Sequence, residues 1–366
     1  MKIAVHAKML SEAVLNGMGW YAFNLLKAIA VVDARNTYDL YSSAPLVHVI
    51  EAPNFTERIT GRPRLWTNIA LPFALAREPH DAVFVPHEKL PPLVKGRKVI
   101  TVYDLHTLGE YFRSPISITA KLHFLKAITL TIKKADAVIA ISEATRRSVV
   151  EITGVDPAKV HVTPLGYDRG VYYPRPEAEV EAVKSRHGIR KKYFINTSSL
   201  LWYRKNLPRL VRAYADSAAR KDARLVITGM RGEDYDNVAR AIAKAGLDDD
   251  VILTGYVPLE DMPRLLSGAV ALVFPSLHEG FGLPIVEAFA CGCPVITSNV
   301  SSMPEVAGDA GRLVDPHSES AIASAMDAVA EDAGAREAMI KKGLERAALF
   351  SWEKTARRTV EVFEGR

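Results

Sequence analysis

Along almost the whole chain, short apolar runs rich in β-branched residues alternate with amphipathic helical patterns. That alternation admits few folds. Strands apolar along their full length need cover on both faces, so they pair in parallel with helices as the crossovers. In the first half, strands are predicted at Lys2–Ala7, Tyr38–Tyr41, Ala82–Val85, Lys98–Tyr103, Ala137–Ile141 and Lys159–Thr163. Helical spacing falls between them at Gly19–Val31, Leu65–Ala76, Ser117–Lys134 and Glu143–Ile152. The second half repeats the scheme from Tyr193–Thr197 to Arg312–Val314, and Asn206 before Leu207-Pro208 reads as a helix start with an N-cap amide. A stretch holding Pro164, Gly166, Gly170, Pro174 and Pro176 separates the halves and leads into charged residues. The reading is α/β: two Rossmann-like doubly wound domains, 1–172 and 192–350, joined by a linker at 173–191. In such a pair the strand-end crevices are expected to face each other across a cleft that holds the reactants.

The 366 residues, 48% apolar and 24% charged, suffice for two cores and exclude disordered or fibrous classes. No apolar stretch is long enough to span a bilayer. The start reads as a strand, with no secretory leader behind it, and two cysteines cannot build a disulfide framework or fill a zinc site. A cytoplasmic protein is expected. Residues 1–176 carry 22 Lys and Arg against 15 Asp and Glu, whereas 177–366 carry 25 against 27. The positive half suits an anionic partner. Nucleic acid is disfavoured, because no basic–aromatic binding motif accompanies the charge. In Ser117–Lys134, Ile118, Leu122, Leu125, Ile128 and Ile132 alternate with Lys121, Lys126, Lys133 and Lys134, while Arg58, Arg62, Arg64 and Trp66 add basic and aromatic character. That pattern fits either a sheet-covering helix or peripheral contact with an anionic membrane surface.

The segment richest in chemistry runs from Val273 to Pro294. It reads as a buried strand, a loop of Glu279, Gly280, Phe281 and Gly282, then a helix opening at Leu283 and Pro284 and closing near Gly292. Amides at such a helix start, with glycines allowing close approach, form an anion site. Glu279 and Glu287 are acceptor-only groups, each able to grip a pair of sugar hydroxyls. One anion site between two hydroxyl readers is what a nucleotide-diphosphate sugar needs. After strand Tyr193–Thr197, Arg204 and Lys205 precede a helix, where fixed cations would stabilise a departing diphosphate.

The Glu-Gly-Phe-Gly-Leu-Pro run, its second Glu eight residues after the first, and the following Asn299–Glu305 and Gly311–Pro316 stretches resemble the donor site of retaining GT-B glycosyltransferases of family 4 (group 1). The resemblance covers essentially the full length and is closest to the mannosyltransferase-like branch that builds cell-surface polysaccharides. It implies that Glu279 contacts donor-sugar hydroxyls, that Glu287 contacts the ribose, and that Arg204 and Lys205 carry the diphosphate. It also implies that helix Ser351–Arg366 braces the first domain. At Ser199 many relatives carry an arginine. Gly17-Met18-Gly19 resembles the family's glycine loop near donor phosphate and acceptor, and Asp104 matches the Asp of a His-Asp pair whose His is replaced by Tyr103. His106 reads as a loop histidine. Nucleobase contacts are expected near Tyr256 and Val257.

Together these imply transfer of a hexose, mannose from GDP-mannose above all, to a glycan or lipid-linked acceptor, with no cofactor and no metal. Asp234-Tyr235-Asp236 and Asp248–Asp250 have Asp-x-Asp spacing but read as solvated positions. Other readings stay open. A UDP-sugar donor fits the same fold. Gly17, Gly19 and Ala22 followed by Asp39 mimic a dinucleotide fingerprint, hence an NAD-dependent oxidoreductase, although the preceding strand ends too early. A silent nucleotide-sugar-binding protein is the non-enzyme alternative.

Overall fold

The computed structural model describes residues 1–61, 64–105, 117–198, 200 and 202–366, and between 118 and 124 the side chains of Thr119 and His123 alone. Ser199, His106, Arg62 and the side chains of Ile118, Lys121 and Leu122 therefore lie outside what is described. The chain divides into two compact units, Met1–Gly166 with Ser351–Arg366, and Tyr167–Phe350.

The first unit is built on seven parallel strands: β1 (Lys2–His6), β2 (Thr37–Ser42), β3 (Phe55–Ile59), β4 (Ala82–Val85), β5 (Arg97–Val102), β6 (Ala137–Ala140) and β7 (Val160–Val162). Their order is β3-β2-β1-β4-β5-β6-β7. All four residues of β4 and of β6 are buried, as strands covered on both faces must be. The edge strand β3 was not expected: its sequence, Phe-Thr-Glu-Arg-Ile, lies mostly in solvent and offers no apolar run. On one face, Trp66, Leu71 and Leu75 share a core with Ile128, Ile132 and Val149 against Val83, Ile100 and Val138. Helix Trp352–Phe363 packs against helix Gly17–Val32 in this unit. There Thr355 Oγ1 donates to the Pro164 carbonyl at 2.6 Å and Arg97 Nε to that of Val362 at 3.0 Å.

The second unit carries six parallel strands: β8 (Lys192–Asn196), β9 (Ala223–Thr228), β10 (Val251–Gly255), β11 (Ala271–Phe274), β12 (Val295–Ser298) and β13 (Arg312–Val314), in the order β10-β9-β8-β11-β12-β13. The stretch expected as linker contains helix Glu177–Arg186, which belongs to this unit and buries Val180 and Val183. With two apolar anchors on a charged helix, the sequence carried no periodicity to detect. In both sheets the strand order reverses once, between β1 and β4 and between β8 and β11. Ligands of open α/β sheets bind beyond the carboxyl ends of the strands at such points.

Candidate functional site

Of the second unit's predicted residues, Arg204, Lys205 and Glu279 come together at the β8/β11 reversal. β11 ends at Phe274, and the chain crosses a loop into helix Leu283–Ala290. Gly282, at φ +103°, is the turn that permits this; a Cβ there would meet Ile285 Cδ1 at 3.1 Å. The amides of Gly282 and Leu283 have no acceptor among the described residues, so the helix opens on free donors.

Glu279 lies beside this opening, buried, with each oxygen held by a cation. Arg204 Nη1 meets Oε2 at 2.7 Å and Lys205 Nζ meets Oε1 at 2.7 Å. Burial alone would raise its pKa, but Lys205 and Arg204 outweigh that and hold the carboxyl down at about 2. The two cations and the carboxylate, read from sequence as separate contacts, form one triad with a net positive charge. Arg204 Nη1 also donates to the His278 carbonyl at 3.0 Å, and its own carbonyl accepts from the Leu277 amide at 2.8 Å. Lys205 Nζ stands 5.1 Å over the Phe274 ring.

Asn206, expected as an N-cap amide, and two serines for which no individual role was expected lock this arrangement. Asn206, left-handed at φ 60°, makes no cap bond of its own; its buried Nδ2 donates to the carbonyls of Pro275 and Pro316 at 3.0 and 2.7 Å. It therefore ties the Arg204–Lys205 turn to the end of β11. Ser301, also left-handed, donates Oγ to the Glu279 carbonyl at 2.6 Å, and Ser302 Oγ lies 2.9 and 2.7 Å from the carbonyls of Glu279 and Phe281. The hydroxyls of Thr197, Ser198 and Ser276, at the ends of β8 and β11, are buried with no partner among the described residues. A ligand's polar atoms would satisfy them. The hydroxyl-rich Thr-Ser-Ser and Pro-Ser runs after two strands were the signal.

Glu287 sits in the helix after Gly282. Burial pushes its carboxyl up to about 7, against the pull of a hydrogen bond from Tyr172. Gly280 and buried Phe281 lie in the same loop, whereas Tyr256, exposed beyond β10, and buried Val257 follow a strand two places from β8. Cys291 and Cys293 are buried free thiols.

In the first unit, Asn16 caps helix Gly17–Val32, its Oδ1 accepting from the Gly19 amide at 2.9 Å. A Cβ on Gly19 would lie 2.9 Å from Leu15 Cδ2, whereas Gly17 faces open space. Asp104 is half-buried two residues beyond β5. Tyr103 donates to the Pro86 carbonyl at 2.6 Å and packs edge-on against Tyr21. Asp39 is not available to a ribose: Arg58 Nε at 2.9 Å, His80 Nε2 at 3.0 Å and Lys2 Nζ at 3.3 Å surround it. That removes the acidic partner on which a dinucleotide site would depend. Nor is Asp234 solvated as expected. It is buried and accepts from Asn237 Nδ2 at 2.7 Å, while Asp250 pairs with Arg224.

The second unit thus brings an anion-ready helix start, a cation pair and buried carboxylates to the reversal of a doubly wound sheet, where open α/β sheets bind their ligands. Residues 16–171 match the family described as Glycosyltransferase Family 4, and residues 179–346 match Glycosyl transferases group 1. The chain belongs to this family of GT-B glycosyltransferases. O-antigen chain mannosyltransferase B of Escherichia coli is 31% identical over 241 residues, 65% of this chain and 63% of that protein. The MMP alpha-(1->4)-mannosyltransferase of Mycolicibacterium hassiacum is 29% identical over 277 residues, 75% of this chain and 63% of the relative. These alignments thus span less than two thirds of either relative. Among solved structures, sucrose-phosphate synthase from Thermosynechococcus elongatus matches with a TM-score of 0.79 at 20% identity, covering 100% of this chain and 98% of that one. Anabaena HepE in complex with UDP-glucose matches with a TM-score of 0.79 at 18% identity, each chain fully covered.

Proposed function

We propose that the chain is a retaining hexosyltransferase that moves mannose from GDP-mannose onto a glycan or lipid-linked acceptor, without a metal ion. The observation that carries this is the Arg204–Glu279–Lys205 triad beside the free amides of Gly282 and Leu283. Mannosyltransferase names among the relatives favour mannose. In this reading the helix amides and the two cations take the diphosphate. Glu279 keeps lone pairs for sugar hydroxyls, and Glu287 accepts from the ribose. The bond from the anomeric carbon to the phosphate oxygen breaks as the acceptor oxygen bonds to the same face. The acceptor's proton passes to the departing phosphate oxygen, and fixed cations stabilise the charge that builds there.

A thermal-shift panel of GDP-, UDP- and ADP-sugars in EDTA tests the donor. A ligand at a hundredfold its Kd adds about 2.7 kcal/mol of stability. The largest shift is expected from GDP-mannose. A preference for UDP-glucose, the ligand bound in the HepE structure, would change the donor and keep the site, whereas absence of any shift would reject the reading.

A further inference from the structure

Two neighbouring helices of the second unit, Leu207–Asp216 and Tyr235–Ala245, bury their inner faces in one core, Leu210, Val211 and Tyr214 from the first and Val238 and Ile242 from the second. Where their outer flanks meet, the side chains are small. Ala215, Ala241 and Ala245 leave a groove of about 800 Å³ in place of a filled seam. That is room for a small metabolite. Tyr203 and Asn206, which bracket Arg204 and Lys205, line the groove where the first helix begins.

An unmet acceptor and a set of cations give this groove a chemistry. Asp234, just before the second helix, lines it and is only 3% exposed. Its Oδ1 accepts from Asn237 Nδ2 at 2.7 Å, whereas Oδ2, also buried, has no partner among the described residues. Burial pushes this carboxyl's pKa up against the pull of Asn237. A buried acceptor in that state calls for a further donor, which a hydroxyl would supply. The cations stand on both helices. Arg212 Nε is 2.7 Å and Arg209 Nε 3.8 Å from Glu319 Oε1, so one carboxylate serves two guanidinium groups. Exposed Arg240 and Lys244 have no ion pair among the described residues; Arg240 reaches the Asp236 carbonyl at 3.2 Å and Asn237 Oδ1 at 2.5 Å. Exposed Asp216 is the remaining acid of the lining.

We infer that this groove is a second ligand site, for a small phosphorylated polyol of the sugar-phosphate class, with a hydroxyl donating to Asp234 Oδ2 and the phosphate held by Arg212, Arg240 and Lys244. Guanidinium and ammonium groups match a phosphate, and the acceptor beside them matches a hydroxyl. The site reaches the Arg204–Lys205 turn through Arg209, whose Nη1 donates to Asn206 Oδ1 at 2.9 Å and to the Pro316 carbonyl at 3.2 Å. Asn206 in turn ties that turn to the end of β11. A phosphate that draws Arg209 away loosens this tie, so the groove's ligand and a nucleotide oppose each other.

Titration calorimetry on the full chain in EDTA, with mannose 6-phosphate as probe and with mannose and inorganic phosphate as its two halves, tests the site. Mannose 6-phosphate is expected to bind, and each half at least about tenfold more weakly. Arg240→Glu/Lys244→Glu should weaken it at least about tenfold, with a melting temperature and a thermal shift from GDP like the parent's. Asp234→Asn, which keeps an oxygen for Asn237, should weaken mannose 6-phosphate and leave inorganic phosphate unchanged. Lys205→Ala should bind mannose 6-phosphate as the parent does. Saturating mannose 6-phosphate should weaken GDP binding at least about fivefold, and GDP should weaken mannose 6-phosphate by the same factor. No binding, inorganic phosphate binding as tightly as the whole probe, unaltered binding in the glutamate variant, loss of binding in Lys205→Ala, or GDP affinity indifferent to the probe would each overturn the inference. Binding of the probe and binding of GDP are separate readouts, so this site and the donor site can fail independently.

Discussion

The reversal points of the two sheets are furnished in opposite ways. Between β8 and β11 stand a carboxylate gripped by two cations and, among the described residues, hydroxyls with no partner and a helix opening on free amides. Between β1 and β4 stand His6 and His87, each facing the other and kept uncharged by burial, with His87 held down at about 4. Strained residues follow the same division. Among the described residues of the second unit the non-glycine left-handed ones are Asn206, tied to Pro275 and Pro316, and Ser301, tied to Glu279. Among those described in the first they are Leu65 and Leu93, both exposing apolar side chains to solvent. Strain concentrates where function needs an awkward backbone. In one unit the strained residues pin a polar loop, in the other they carry apolar side chains in solvent.

Removing a cation from the second unit should break the comparison most visibly. Lys205→Ala is expected to lower kcat by about 10²–10³, measured by initial rates with the donor the thermal-shift panel selects. The matching cut in the first unit, His6→Asn, should lower stability and leave GDP affinity unchanged. A fall in affinity would erase the distinction between the two reversal points.

Glu279 and Glu287 sharpen it through pH. Because the pKa of Glu279 is depressed in the fold, its stabilisation is present above pH 4.5 and lost as pH falls through about 2. Glu287, raised to about 7, runs the other way: the fold is favoured below pH 4.5 and loses stability as pH rises through 7. A shift of that size corresponds to about 3 kcal/mol. Glu287→Gln should therefore unfold at higher urea than the parent at pH 8, with the gap closing by pH 5. The parent's nucleotide affinity should weaken below pH 7, because a ribose needs the ionised form. A flat affinity profile would count against the ribose role.

Gly282→Ala should cost about 1–3 kcal/mol, since φ +103° strains any residue with a Cβ and Ile285 Cδ1, 3.1 Å away, would have to shift. Nucleotide affinity should fall with it. Ser302→Ala is the smallest change, about 1 kcal/mol of stability, with a raised KM for donor as the sign that the Glu279 loop has loosened. Urea melts and donor titrations read both.

What could be read from sequence was what is local. The fully buried strands announced themselves as apolar runs, and the Glu279–Glu287 segment carried its chemistry within nine consecutive positions. Exposed β3 and the charged helix Glu177–Arg186 bury too little to leave a pattern. The locks of the site join residues far apart in the chain: Ser301 and Ser302 reach back to Glu279, Asn206 reaches Pro316, and Tyr172 reaches Glu287, as His6 meets His87 in the first unit. No spacing rule encodes such pairs. Asp39 shows the converse error, since a position right for a dinucleotide motif is filled by three basic neighbours that only the fold brings together.

Titration calorimetry with GDP in EDTA, on the parent chain and on Lys205→Ala, tests the central claim most directly. Tight binding by the parent without any divalent ion, weakened at least about tenfold in the variant, is the result expected from a diphosphate seated on the helix amides and the Arg204–Glu279–Lys205 triad. GDP binding that appears only on adding magnesium, or that is equally tight in both proteins, would contradict it.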